Sequence, residues 1–349
     1  MATLIHHPHT LADWELDDYL ANGWRATGQS VYNSNYLLLD SGDMVGVLPS
    51  RVALSDFQFS KRMRKRMRNN LRRFQVVYGP AMEVAEDKQN INRQYLARFP
   101  NKSLEYLEYH LLGNAGQRVL NTWETRVYDA GKLIAFSYFD LGKTSAYSKA
   151  GIYDPDYAKY SLGLFTMGLE IEFCLRLRKQ WYYPGYVSDA DSSFDYKHRL
   201  GQLQYYDITR QSWQDHGTDP VSQRPMRLNV SRLKALGQLL NQQGVVSHVY
   251  VYPYLNLRYQ EGLGTDLLDA PALLFLSQHG EYQYLVVTYD VAKQAYQLLD
   301  TRVSRLFAMR RIGFDQINGL SYFSDPLRVS KVLMTEQKAV GIAEALLVN

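Results

Sequence analysis

"TWETRVYDAGKLIAFSYFDLGKTSAYSKAGIYDP", Thr122 to Pro155, and "SLGLFTMGLEIEFCLRLRKQ", Ser161 to Gln180, together decide the architecture of this chain. The first holds three apolar or alternating runs separated by "DAGK" and "LGKT", two hairpin-type turns. The second predicts a long apolar-rich helix starting near Ser161. "WYYPGYV" (181–187) and "GQLQYYDIT" (201–209) predict two further strands. Meander, helix, strand, strand is a sequence of elements of the α+β / α/β class.

Outward from this centre, "INRQYLARF" and "LEYLEYHLLGN" predict helices within residues 90–120. The first fifty residues read as short strands and turns, with Ser41, Gly42 and Asp43 set between two apolar runs as a hairpin signal. After about Asp215, "DHGTDPVSQRP" is turn-rich and predicts a linker. Beyond it lie a helix ("VSRLKALGQLLNQ"), four strand-like runs and a final helix. The order of the central elements resembles the GNAT acyltransferase core, which implies a central mixed sheet flanked by helices. Three regions are expected: 1–80 with a basic helix, 81–215 as the GNAT-like transferase domain, and 216–349 as an accessory α/β unit.

"SKRMRKRMRNNLRRF", Ser60 to Phe74, carries eight cations and no acid. Met63, Met67, Leu71 and Phe74 recur at helical spacing and predict a core-facing stripe on a helix over 61–73, with Ser60 as N-cap. The other faces carry Lys61, Arg62, Arg64, Lys65, Arg66, Arg68, Arg72 and Arg73. A solvated helix face ordinarily mixes Glu with Lys and gains i,i+4 pairs. Cations in the first turns oppose the helix dipole, at roughly 0.3–1 kcal/mol per close charge. An external polyanion would offset that cost, so these eight residues are candidate nucleic-acid or phosphate ligands, with a bland solvated surface as the alternative.

The rest of the composition narrows the classes. Hydrophobic residues make up 46% and charged residues 21%, ordinary for a globular chain, and a net charge of +4 confines any nucleic-acid surface to a local patch. The 28 tyrosines suit strands and stacking surfaces. A lone Cys174, amid apolar residues, excludes a thiolate cluster and reads as a core residue. His6, His7 and His9 read as a flexible polar terminus rather than a metal site, so no metal is expected. The N-terminus lacks the features of a signal peptide and no stretch has 18 consecutive apolar residues, so a cytoplasmic protein with no membrane partner is expected.

Four stretches, in order, resemble the arginyl/leucyl-tRNA–protein transferases, which move an amino acid from charged tRNA to a protein N-terminus. "YLANGWRATGQSVY" is similar to the family's Gly-hydrophobic-Arg opening, and "LPSRVALSDFQFSKRMRKRMRNN" to its Arg-Val segment and following basic run. "YDPDYAKYSLG" and "YYPGYV…DYKHR" are similar to its two later motifs. The family's N-terminal cysteine cluster is missing: "NSNYLLLDSGDMVGVLPS" stands there without a cysteine. Its second cysteine motif is replaced by Asp191 to Asp195.

The resemblance implies aminoacyl-tRNA as co-substrate, no other cofactor, and a protein or peptide N-terminus as acceptor. It also implies a cleft where two central strands splay. Tyr153, Asp154 and Asp156 would follow one strand. Ser161, Leu162 and Gly163 would open the helix and meet the tRNA terminus. Tyr186, Asp189, Tyr196 and Lys197 would follow the next strand. Asp154, Tyr186, Tyr196 and Lys197 are the candidate catalytic residues, with Lys197 expected at an exposed edge and Asp154 open to a helix-capping role instead. Two alternatives stay open: a non-catalytic tRNA- or peptide-binding relative, and an acyl-CoA-dependent N-acyltransferase. The window Tyr160–Phe165 keeps one glycine of the pyrophosphate-binding pattern, and Phe165 is expected to crowd that approach.

Overall fold

The computed structural model describes residues 3–39, 42–100, 102–188, 192–215, 224–255, 266–304, 316–317 and 320–347. The chain opens with β1 (Thr3–His6), α1 (Asp13–Ala21), β2 (Arg25–Thr27) and β3 (Ser30–Ser34). The central unit contains β4 (Tyr36–Leu38), β5 (Met44–Ala53), α2 (Lys61–Leu71), β6 (Gln75–Pro80), α3 (Glu86–Arg98) and α4 (Glu108–Leu112). It continues with β7 (Thr122–Asp129), β8 (Lys132–Leu141), β9 (Ser145–Tyr153), α5 (Leu162–Arg176), β10 (Trp181–Ser188), β11 (Leu203–Asp207) and β12 (Ser212–Asp215). The remainder is α6 (Pro225–Gln242), β13 (His248–Val251), β14 (Ala272–Gly280), β15 (Gln283–Asp290), β16 (Ala295–Val303), β17 (Gln316–Ile317), β18 (Leu320–Tyr322), β19 (Leu327–Glu336) and α7 (Ala339–Leu347).

The fold is GNAT-like. A mixed sheet runs in the order β12-β11-β5-β10-β9-β8-β7-β6, with β4 also on β5; it takes strands from both sides of residue 80. The β7–β8 turn is Ala130-Gly131, both at positive φ, the twist that a two-residue hairpin needs. Helices cover both faces. On one face α5 packs against Ile134, Phe139 and Tyr182, and on the other Ile91 of α3 and Leu111 of α4 meet Phe136 and Tyr138. The small sheet β1-β3-β2 and α1 close over Tyr147 and Tyr183.

The basic helix is capped as the sequence predicts, with the Met63 N–H donating to Ser60 Oγ at 3.2 Å. Its buried stripe differs from the expectation. Met63, Met67 and Phe74 are buried, but Leu71 is 43% exposed, and Asn70 takes the inward position. The reason is a hydrogen bond: Asn70 Nδ2 donates to the Tyr160 carbonyl at 3.1 Å. The helix ends at Leu71, short of 73. Met63 and Met67 lie over Gly168 of α5, where an added Cβ would stand 2.5 Å from Met63 Cε.

The N-terminal histidines also depart from the expectation of a flexible tail. β1 pairs with β3, His6 bonds Tyr19 at 2.6 Å and His7 bonds Ser30 at 2.7 Å. Residues 225–347 build a second sheet, β17-β18-β13-β14-β15-β16-β19, with α6 and α7 on one face. Its core is shared with the central unit. Tyr36, Met44 and Ile208 are buried against Leu233, Leu236 and Val287, and the Tyr322 hydroxyl donates to the Gly42 carbonyl. Among the described residues, no helix is long and apolar enough to cross a membrane.

Candidate functional site

β9 and β10 are parallel neighbours, but they pair only at Ser145–Trp181, Ala146–Tyr182 and Tyr147–Tyr183. Beyond Tyr147 and Tyr183 the pairing stops, while both strands run on to Tyr153 and Ser188. A register shift in the β10–β5 pairing between Tyr182 and Gly185 accompanies the parting, and Gly185 sits at φ +93°. Extra residues on one strand bend it away from its neighbour, so the bulge and the opening go together. Side chains take up carbonyls that the parting strand offers: Ser50 Oγ donates to the Gly185 carbonyl at 3.1 Å and Lys197 Nζ to that of Tyr186.

Lys197 lies on the short helical segment Ser192–Arg199 behind β10. It was expected to be exposed, yet it is buried at 6% exposure. Its stem threads between Tyr186, Phe194 and Tyr196, with Nζ 4.9, 5.4 and 5.9 Å from the three ring centroids. Nζ donates to the Tyr186 carbonyl at 2.5 Å. Burial pushes the ammonium down to about 7, and the nearby charges of Arg25 and Lys102 push the same way.

Arg25 arrives from β2, also buried, and stacks 4.7 Å from the Tyr32 ring and 4.8 Å from the Tyr186 ring. It donates to the Ser34 carbonyl. Arg25, Tyr32, Tyr36, Val47, Tyr109 and Tyr186 line a cavity of about 200 Å³. The two cations therefore meet at one aromatic ring, that of Tyr186. Sequence reading placed Arg25 in a family-like motif without giving it a role in the site.

The other candidates divide. Tyr186 and Tyr196 are brought together with Lys197. Asp154 is not: its carboxylate is buried, accepts the Asp156 N–H at 3.0 Å and pairs with Lys132 at 2.7 Å. The capping role considered beside the ammonium-binding one is the one its contacts serve. Asp154→Asn is expected to lower stability by about 1–2 kcal/mol, read by thermal melting, with little change in ligand affinity. Asp189 lies outside the described residues.

Ser161 caps α5 in the left-handed region, at φ +54°. The Tyr153 ring faces Gly163, 3.6 Å from where its Cβ would be. Phe165, expected to crowd the helix start, is instead fully buried in the core. The first N–H groups of α5 carry the positive end of the dipole, as at any helix start.

Glu170, about two turns deeper on α5, was missed. It is fully buried beneath the point where the strands part, with the Tyr182 hydroxyl donating to it at 2.7 Å and the Ser137 and Ser148 hydroxyls beside it. Burial pushes its carboxyl up to about 7. An acid whose folded value lies above its unfolded one stabilises below the unfolded value and loses that relative stability as pH rises through the folded one. Glu170→Gln is therefore expected to raise the melting temperature at pH 8 and leave it nearly unchanged at pH 4, below the unfolded value. The sequence signal was a single acid, Glu170, preceded by the apolar run "LFTMGL".

The basic helix borders this site. Burial, then the charges of Arg62 and Arg199, hold the Arg66 guanidinium below its ordinary value, and Arg199 is two residues from Lys197. Cations therefore continue from α2 towards the cleft. Arg73 departs from the set, pairing with Asp129 at 3.2 Å and stacking over Tyr160. Cys174 is buried, its thiol pushed far up by burial, away from any nucleophilic role.

Residues 73–207 match the family described as arginine-tRNA-protein transferase, C terminus. An aspartate/glutamate leucyltransferase of Vibrio cholerae serotype O1 (strain M66-2) is 26% identical over 201 residues, covering 56% of this chain and 80% of that one. Another, from Xanthomonas campestris pv. campestris (strain B100), is 28% identical over 168 residues, covering 46% and 66%. Among solved structures, L-PGS from Bacillus licheniformis aligns at a TM-score of 0.30 and 13% identity, over 40% of this chain and 46% of that one.

Proposed function

We propose that this chain, which matches the arginine-tRNA-protein transferase C-terminal family over residues 73–207 and carries one cysteine, is a divergent relative that transfers an amino acid from charged tRNA to the N-terminal amine of a protein or peptide. One observation carries the reading: a buried lysine poised near neutrality stands where two parallel strands part, beside an acid-free basic helix. Residues 216–349 act in this proposal as an accessory unit.

The chemistry asks little of the protein beyond position and proton transfer. An α-amine has a pKa near 8, so a fraction is neutral at pH 7. Its nitrogen attacks the ester carbonyl, the C–N bond forms, the C–O bond to the ribose breaks, and the amine proton ends on the ribose oxygen. Lys197 can carry that proton, because a group poised near 7 both accepts and releases it. The N–H groups at the start of α5 suit the developing oxyanion or the tRNA terminus. Tyr186 and Tyr196 offer rings for the terminal adenine. An acceptor beginning with Asp or Glu, as the relatives' name suggests, would bring its carboxylate into the field of Arg25 and Lys197.

The test is incubation with mixed tRNA charged with radiolabelled amino acids and a pool of peptides differing at residue one. Label on peptide supports the proposal. Retention of tRNA without transfer favours a binding protein, and acylation from acyl-CoA alone favours the other enzyme class.

A further inference from the structure

Tyr109 is shared by two hollows. It lines the Arg25 cavity, and it also lines an open groove of about 570 Å³ formed by α4 and the segment before it. The groove floor and rim include Leu104, Tyr106 and Leu112, with Leu104 41% and Tyr106 71% exposed. Its charged side chains are Glu105 and Glu108, the latter also accepting from Gln89 at 3.1 Å. Large apolar side chains left in water beside a site ordinarily mark a docking surface.

We propose that this groove holds the acceptor polypeptide downstream of its first residue, and that it favours acceptors with basic and apolar residues at positions three to five. The proposal rests on the transferase reading for the identity of the neighbouring cavity. Charge selects the occupant. Two carboxylates repel phosphate, so the tRNA that suits the cations of α2 is disfavoured here, while a basic peptide is attracted. Continuity gives the direction: a chain lying in the groove and passing Tyr109 delivers its amine towards Tyr186 and Lys197. An extended peptide advances at most about 3.3–3.6 Å per residue, so a groove beginning at the cavity edge is read by residues just after the first.

The experiment measures binding, apart from chemistry. Decapeptides labelled at the C-terminus, with Lys-Leu-Arg or Glu-Leu-Glu at positions three to five, are titrated with the full chain and followed by fluorescence anisotropy. The basic peptide is expected to bind roughly fivefold to tenfold tighter, the scale of two partly exposed charge contacts. The double variant Glu105→Lys/Glu108→Lys should invert the preference, and Tyr106→Ser should weaken both peptides alike. These side chains are exposed, so the variants should fold, and an unchanged melting temperature verifies it. Equal affinities in the wild type, no binding of either peptide, or a preference that survives the double variant would each overturn the proposal. Charge-selective binding without transfer from charged tRNA would uphold the groove and sink the enzyme reading instead.

Discussion

Replacing Lys197 with methionine is expected to abolish transfer and to raise the melting temperature in the same molecule. The cage of Tyr186, Phe194 and Tyr196 suits a flexible apolar chain, and sulfur packs well at aromatic edges. The lysine, by contrast, holds its ammonium against burial, with a folded-state value of about 7 against 10.5 when exposed. Between those values the unfolded chain binds more protons, so stability rises with pH, and the full cost of the buried charge is present below about pH 7. Removing it should return on the order of 2–4 kcal/mol at pH 6.5, less about 1 kcal/mol for the orphaned Tyr186 carbonyl. At pH 10.5 the gain should shrink towards zero. Transfer should fall by roughly 10²–10⁴, the usual worth of a positioned proton carrier. Paired melts at the two pH values, with single-turnover rates, check both halves. A variant that melts lower at both pH values would make Lys197 a structural residue.

Reversing Arg64, Lys65 and Arg68 to glutamate together should weaken tRNA binding by at least about a hundredfold near physiological salt. Each neutralised phosphate contributes about 0.7–0.9 to the slope of log affinity against log salt, so three lost contacts should flatten that slope by about 2–3. The fold should survive. These side chains are exposed, and α2 has no acid in its first turn to complement its dipole. Arg64 and Lys65 lie past the first three positions, but Arg68 is in the last turn, where its charge complements the dipole, so the folded variant should melt slightly lower, by about 0.3–1 kcal/mol of stability. Anisotropy titrations at several salt concentrations decide it: an unchanged slope in a folded variant would mean tRNA does not lie on this helix.

Much of the central sheet was legible because each signal was local. "DAGK" needs only two residues at positive φ, and the runs in β7, β8 and β9 carry their own pattern. The parting of β9 and β10 was expected only through the resemblance, because no local pattern in either strand announces where their pairing stops. What stayed hidden depended on distant partners. Asn70 reads as a surface residue until Tyr160 offers its carbonyl. Lys197 reads as an exposed charge until the rings of Tyr186, Phe194 and Tyr196 enclose it, and Glu170 carries no role until the Tyr182 hydroxyl reaches it from another element. Helix α1 was missed because "DWELDDYLA" alternates acids with single apolar residues and lacks a side-chain cap. Strand β19 was missed because it is an edge, largely exposed through its middle, so it shows no strict alternation.

The shared core between the two sheets has a consequence for biosynthesis. Tyr36 and Met44 leave the ribosome roughly 190 residues ahead of Leu233 and Leu236, the α6 side chains that bury them. At about 5–20 residues per second, the β4–β5 hairpin waits roughly 10–40 s with its apolar side uncovered. During that interval the nascent chain can complete the sheet around β9 and β10 but cannot seal it at Met44. A chaperone that holds exposed apolar hairpins would have its longest engagement with this chain there, and premature termination after Asp215 would yield a product that stays in its grip.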